Sequence, residues 1–168
     1  MTNGYNILVI DDDAFMRDAC YQALTKNGHA VSLADSGRQG LALLERSTFD
    51  LIFLDLYLPK EDGLFVLAEI KDMDPEAIVV MISGHGSIEK AVQAIKLGAL
   101  DFIAKPFTPE ELRQLVKRAL KNRRLSTADS LKGRQAETPA GNKPIISKSS
   151  AMAKVKEMIS MVAPTEST

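Results

Sequence analysis

The stretch Phe49-Asp50-Leu51-Ile52-Phe53-Leu54-Asp55-Leu56-Tyr57-Leu58-Pro59 decides the fold. Leu51 to Leu54 is a continuous apolar run between two aspartates, too short for a helix of ordinary length. Such a run reads as a strand buried on both faces, the form strands take in parallel sheets covered by helices. Asp55 stands where the run ends, and Pro59 and the turn Glu61-Asp62-Gly63 follow. Open parallel sheets bind ligands beyond the carboxyl ends of their strands. A carboxylate there is a candidate for chemistry rather than packing.

Upstream, Tyr5 to Ile10 is an apolar, β-branched run that ends abruptly in Asp11-Asp12-Asp13, a first strand. Asp13 reads as the cap of a helix running to Lys26, with Phe15, Ala19, Ala23 and Leu24 near helical spacing and Asn27-Gly28 as its stop. Ala30 to Ala34 is a second, weaker strand. Ser36-Gly37 opens a helix with Leu41, Leu43 and Leu44 inward. Downstream, Gly63 precedes a helix carrying Leu64, Leu67, Ala68 and Ile70, stopped by Asp74-Pro75. Ala77 to Ile82 is the fourth strand and runs into Ser83-Gly84-His85-Gly86. Ser87 begins a helix with Ile88, Ala91, Val92 and Ile95, closed by Gly98. Leu100 to Ala104 is a fifth strand ending at Lys105-Pro106. Thr108-Pro109-Glu110-Glu111 is a helix start in which Thr108 caps, Pro109 is the first helical residue and Glu111 completes a capping box. Leu112, Leu115, Val116, Ala119 and Leu120 form its apolar face.

Five strand–helix repeats predict an α/β fold: a doubly wound five-stranded parallel sheet of order 2-1-3-4-5, with a helical C-terminal extension. In that order the winding reverses between the first and third strands. The crevice therefore lies between Asp11-Asp12 and Asp55.

The chain of 168 residues is 45% hydrophobic and 26% charged, which suits a globular domain with an appendage. A net charge of -1 makes no general electrostatic case for nucleic acid or an anionic membrane. The single Cys20 excludes an intrachain disulfide framework and, with only two histidines, argues against structural zinc. No long apolar stretch occurs and Met1-Thr2-Asn3-Gly4 lacks signal-peptide character, so the cytoplasm is expected, with no membrane partner. After Leu125 the chain turns polar, with Gly133, Pro139, Gly141 and Pro144 as breakers. The expected organisation is a domain over 1–125, a linker over 126–144 and the start of a second, truncated domain over 145–168. In that last stretch Ser149 or Ser150 caps a short helix carrying Met152, Val155, Met158, Ile159 and Val162, an apolar face that nothing further in the sequence covers.

The strand ends together hold Asp11, Asp12, Asp55, Ser83 and Lys105. Three carboxylates in one crevice repel one another and raise one another's pKa. A hard divalent cation relieves this, and Mg²⁺ suits because it needs one or two carboxylates and leaves positions for phosphate oxygens. Lys105 adds a point charge and Ser83 a hydroxyl donor. The set is suited to stabilising a phosphoryl group on Asp55. Singly, each residue has a plainer reading. Asp13 reads as a helix cap rather than a ligand, Lys105 as a surface lysine and Ser83 as a turn former. His29 and His85 read as loop residues, and Cys20 and the methionines as core. Co-location of the five carries the site.

Val9-Ile10-Asp11-Asp12-Asp13, Leu54-Asp55-Leu56-Tyr57-Leu58-Pro59 with Asp62-Gly63, Ile82-Ser83-Gly84, and Phe102-Ile103-Ala104-Lys105-Pro106-Phe107 resemble the receiver domain of two-component response regulators, over about Tyr5 to Leu125. The resemblance implies a flavodoxin-like sheet and a phosphoacceptor signalling domain rather than an enzyme. It implies that Asp55 takes a phosphoryl group from the phosphohistidine of a partner sensor histidine kinase. Asp12 and Asp55 would ligate Mg²⁺ with the backbone carbonyl of Tyr57, and Asp11 would act mainly through water. Ser83, Phe102 and Lys105 would be the switch residues, and the Lys105-Pro106 bond would be cis.

Met81 to Phe107 and the tail Ile145 to Ala163 further resemble NtrC-type regulators, which activate sigma-54-dependent transcription. In those, the tail leads into an AAA+ ATPase domain and a DNA-binding helix-turn-helix. No GxxxxGK[ST] phosphate loop occurs in this chain, so contacts with ATP, sigma-54 RNA polymerase or DNA would come only through missing domains or a partner. A homodimer is expected through the last helix, along Leu112, Leu115 and Ala119 toward Leu125. The basic run Lys117, Arg118, Lys121, Arg123 and Arg124 reads as a solvated helix end. Tyr57 and His85 would flank the approach of water to the phosphorylated Asp55. Shielding by the Tyr57 ring is expected to outweigh any assistance from the His85 imidazole.

Three other readings compete. A stand-alone phospho-switch has the same site without an output domain. An aspartyl-phosphate hydrolase wants a second Asp where Tyr57 stands. An FMN module wants a phosphate loop where three aspartates would repel the phosphate.

Overall fold

A computed structural model describes residues 4–84 and 88–132, the last stretch from 122 onward as backbone alone. His85, the Ser87 helix start, and the linker and second-domain expectations beyond 132 lie outside the described residues. The elements run β1 (Asn6–Ile10), α1 (Ala14–Thr25), β2 (Ala30–Ala34), α2 (Gly37–Arg46), β3 (Leu51–Asp55), β4 (Tyr57–Leu58), β5 (Glu61–Asp62), α3 (Gly63–Met73), β6 (Val79–Ser83), α4 (Ile88–Lys96), β7 (Asp101–Ala104) and α5 (Pro109–Lys132). Five strands form one parallel sheet in the order β2-β1-β3-β6-β7, which is the expected 2-1-3-4-5 winding. β4 and β5 form a separate two-residue antiparallel hairpin where the sequence predicts only a turn.

Alternation along the strands sorts the core into two layers. Leu8, Ile10, Ile52, Leu54 and Met81 point to one face, under α2, α3 and α4. Ile7, Val9, Leu51, Phe53, Val80 and Ile82 point to the other, under α1 and α5. Every residue of β3 and β6 is buried, as a strand covered on both faces requires. Phe53 is fully buried, and its truncation to alanine would cost about 3–5 kcal/mol.

The helices start where their caps allow. Asp13 Oδ1 accepts from Phe15 N–H at 2.9 Å and Met16 N–H at 3.4 Å, so Asp13 is a cap. Ser36 caps α2 and Asp62 caps α3. At α5 the capping box is complete: Thr108 N–H donates to Glu111 Oε2 at 2.7 Å and Glu111 N–H donates to Thr108 Oγ1 at 3.2 Å. Gly28 follows α1 at φ 83, a conformation L side chains rarely adopt.

Three expectations about the elements need correction. On α1 the inward residues are Met16, Cys20, Ala23 and Leu24; Phe15 is 83% exposed and Ala19 is also outward. On α4 Ala91 and Ala94 are buried while Ile88 is exposed. α5 itself runs on to Lys132, as a helical extension past Leu125. The dimer seam expected on Leu112, Leu115 and Ala119 is not at the surface. All three are buried in the layer beneath α5, since that stripe closes the core of this domain.

Candidate phosphoacceptor site

β1 and β3 are adjacent and in register, with Ile10 opposite Leu54, so Asp11 and Asp55 leave the sheet side by side. The Lys105-Pro106 peptide is cis, as the resemblance implies. Lys105 lies just past β7. Its N–H donates to the Ser83 carbonyl at 2.7 Å, tying the exits of β6 and β7 together. Its ammonium sits 2.7 Å from Asp55 Oδ2 and 2.8 Å from Asp11 Oδ2.

The two buried acids are further held by backbone donors. Asp13 N–H donates to Asp11 Oδ1 and Tyr57 N–H to Asp55 Oδ1, both at 2.9 Å. Arg17 Nη1 donates to the Asp11 carbonyl at 2.7 Å, and Asp11 N–H donates to the Ala34 carbonyl at 3.1 Å. Ser83 is buried at the end of β6, and half-buried Phe102 packs on the α2–α3–α4 layer opposite Met81.

Burial is the main cause that raises the Asp11 carboxyl above its ordinary range; Asp55 adds repulsion, while Lys105 and the Asp13 amide oppose the rise. Burial alone would lower Lys105, but Asp11 and Asp55 outweigh it and hold the ammonium's pKa above its ordinary value. The cation is thus locked in its charged form.

Asp11, Asp12 and Asp55 each offer a carboxylate oxygen, and these lie within 4.8 Å of one another. One lysine faces three carboxylates. Asp11 Oδ2 is buried against the Lys105 ammonium, while Asp12 stays exposed. Three carboxylate oxygens this close together are hard donors and fit a small divalent cation such as Mg²⁺.

The β4–β5 hairpin forms one wall of the crevice. Gly63 returns the chain so tightly that a Cβ there would lie 2.4 Å from the Asp55 carbonyl, so only glycine fits. Three residues here escaped the sequence reading: Arg17, Glu61 and Lys90. Glu61 Oε2 accepts from Gly37 N–H at 2.5 Å and from Arg38 N–H at 3.3 Å, holding the hairpin to the start of α2. Lys90 Nζ lies 4.6 Å from the Tyr57 ring centroid. These contacts join segments far apart in the chain, and no spacing rule signals them. The plainer readings of His29 and Cys20 hold: His29 stands in the loop before β2, and Cys20 is a buried core residue whose thiol is pushed up to about 12 by burial, with a smaller push from Asp11. Among the described residues no helix is long and apolar enough to cross a membrane.

Two buried acids, an exposed third and one shared lysine thus stand at the carboxyl edge of a covered parallel sheet. The response regulator receiver domain family matches residues 7–117, and the chain belongs to it. Across 166 residues it is 34% identical to the C4-dicarboxylate transport transcriptional regulatory protein DctD of Rhizobium meliloti, covering 99% of this chain and 36% of the relative. It is 36% identical to the transcriptional regulatory protein ZraR of Escherichia coli O157:H7, over 99% of this chain and 36% of that protein. The receiver domain of NtrX from Brucella abortus superposes with a TM-score of 0.66 at 45% identity, covering 68% of this chain and 98% of that one. The relatives are two-component transcriptional regulators of the NtrC type, and the chain spans about a third of the length of the curated relatives it matches.

Proposed function

We propose that Asp55 accepts a phosphoryl group from the phosphohistidine of a sensor histidine kinase and that this switches a transcription regulator of the NtrC type. The observation that carries the reading is the shared ammonium, 2.7 Å from Asp55 Oδ2 and 2.8 Å from Asp11 Oδ2. In the transfer an Asp55 oxygen bonds to phosphorus, the phosphorus–nitrogen bond breaks, and the imidazole nitrogen keeps the electron pair. Tyr57 N–H orients the Asp55 carboxylate through Oδ1. Lys105 is charged before the reaction starts and meets new negative charge without reorganisation. Ser83 would contact one phosphoryl oxygen, and with Phe102 would report the change to the β7 face. Asp12, Asp55 and the Tyr57 carbonyl would hold Mg²⁺, with Asp11 acting through water. When bound, the ion would neutralise charge on the phosphoryl oxygens.

Similarity to DctD extends over 99% of this chain, so it takes in 145–168 as well. This supports reading that stretch as the opening of an output domain, and a receiver over 1–125 as its regulator, over a stand-alone switch. Contact with sigma-54 RNA polymerase and DNA would then belong to the output part. With Leu112, Leu115 and Ala119 committed to the core, a homodimer would use the part of α5 that outruns it. Sedimentation with and without beryllofluoride tests this: a monomer in both states at tens of micromolar overturns the dimer.

The central test is mass. Wild type incubated with Mg²⁺ and acetyl phosphate gains one phosphoryl group, and Asp55→Asn gains none. Equal gains overturn the assignment.

A further inference from the structure

We propose that Lys90 is a positioning residue for the Asp55 site, holding the Tyr57 ring across the β3–β6 side of the crevice and so slowing the loss of the phosphoryl group. The proposal rests on Asp55 being the phosphoacceptor. Three observations carry it. The Tyr57 main chain is anchored: its N–H bonds Asp55 Oδ1 at 2.9 Å, and the residue pairs with Asp62 in the hairpin. The ring therefore moves about its own side-chain torsions while its base stays put. Next, Lys90 Nζ stands 4.6 Å from the ring centroid, inside the ~6 Å reach of a cation–π contact. Lastly, α4 follows β6, and β6 pairs with β3 so that Asp55 lies opposite Ile82. Tyr57 stands two residues past Asp55 at the exit of β3, and Lys90 stands on the helix that follows β6, so their contact spans the β3–β6 side of the crevice.

A cavity of about 450 Å³ beside the site is walled by the 56–62 segment and, from elsewhere in the chain, by Lys90. Among the described residues, Lys90 is the side chain from elsewhere in the chain that lines it. Tyr57 is 42% exposed, so the ring borders solvent on one side, where water must enter. In hydrolysis, a water oxygen bonds to phosphorus, the bond to the Asp55 oxygen breaks with its electron pair returning to the carboxylate, and the water's proton passes to solvent. A ring held in place narrows that approach; a released ring opens it.

The test uses the full chain, charged with acetyl phosphate and Mg²⁺, freed of donor by rapid gel filtration and followed by intact mass. Lys90→Gln should lose phosphate about two- to fivefold faster than wild type, the scale of an exposed cation–π contact. Lys90→Arg keeps the cation and should decay at the wild-type rate. Tyr57→Leu should match Lys90→Gln, and the double variant should be no faster than either single one, because the two act through one contact. Wild-type decay in Lys90→Gln, equal acceleration in the Gln and Arg variants, or additive effects each overturn the proposal. A second readout needs no phosphoryl group: the Tyr57 ring proton resonances should shift in Lys90→Gln and not in Lys90→Arg, and unmoved resonances in the Gln variant count against the contact. If wild type and Asp55→Asn gain equal mass, the phosphoacceptor reading has failed, and the ring resonances still judge the contact itself.

Discussion

Two regions of one sheet bury acids, and they differ in how the charge is met. At the carboxyl edge, Asp11, Asp12 and Asp55 face a single Lys105. At the opposite edge, Asp101 opens β7, buried, with its own arginine: Arg118 Nη2 is 3.6 Å from Oδ2, and Phe102 N–H donates to Oδ1 at 2.9 Å. Burial raises the carboxyl pKa at both places, and the neighbouring donors and cations pull it back. The distinction is the count. Among the described residues, two buried carboxylates share one ammonium at the first edge, and one carboxylate has its own arginine at the second. A buried acid by itself marks packing, and clustered acids that share one cation at a strand exit suit a hard divalent ion.

The strongest way to break this comparison is to neutralise one acid at each edge. Asp55→Asn should abolish phosphoryl gain, while Asp101→Asn should leave it present; intact mass after acetyl phosphate treatment decides, and loss in both variants would erase the distinction. Removing the cations comes next. Lys105→Met strands two buried carboxylates and should cost about 3 kcal/mol at neutral pH without metal, the lower end for breaking a buried pair because the lysine keeps some solvent contact. Arg118→Ala removes a half-exposed partner and should cost under ~1 kcal/mol. Urea unfolding of both variants gives the ratio, and equal costs would refute the contrast.

Asp11→Asn sharpens it further. The folded carboxyl titrates above its ordinary 3.8, so as pH rises from 3.8 through that raised value the folded chain holds a proton the unfolded chain has released. Stability falls across this window and stays lower above it. The Asn variant lacks that loss. Without divalent ions at neutral pH it should melt roughly 3–6 °C higher than wild type, equivalent to about 1 kcal/mol. Added Mg²⁺ should raise both and the variant less, since Asp11 would act only through water, and a variant that melts lower without metal counts against a charge cost at Asp11.

The smallest effect lies away from both acids. His29 Nδ1 accepts from Tyr5 N–H at 3.3 Å, and burial lowers its pKa from 6.5. Stability should be flat above pH 6.5 and fall slightly as pH drops below it, since the unfolded chain protonates first. His29→Gln should flatten this slope in denaturant titrations and leave phosphoryl gain unchanged.

Much of the fold is legible along the chain because it is local. The run Leu51–Leu54 flanked by Asp50 and Asp55, the Thr108–Glu111 capping box and the Asp13 cap each depend on residues within a few positions. Together with the strand–helix repeat they set the winding, and the winding brings Asp11, Asp55 and Lys105 to one edge. The errors came from faces. Phe15 has helical spacing with the inward residues and still points to solvent, because α1 rolls onto the sheet along Met16, Cys20 and Leu24. Leu112, Leu115 and Ala119 are an apolar stripe by spacing, but spacing cannot tell whether a stripe covers this domain's core or a second copy's.

The sequence alone therefore determined the five strands of the main sheet, the five helices, their order and the identity of the acids and lysine, since hydrogen-bond capping and apolar period act over one or two turns, but not the β4–β5 hairpin. Tertiary structure alone decided which oxygens Lys105 bridges, 50 residues from Asp55, that Glu61 grips α2, and that Lys90 meets the Tyr57 ring. Those contacts depend on sheet register and helix roll, which the packing of the whole core sets at once.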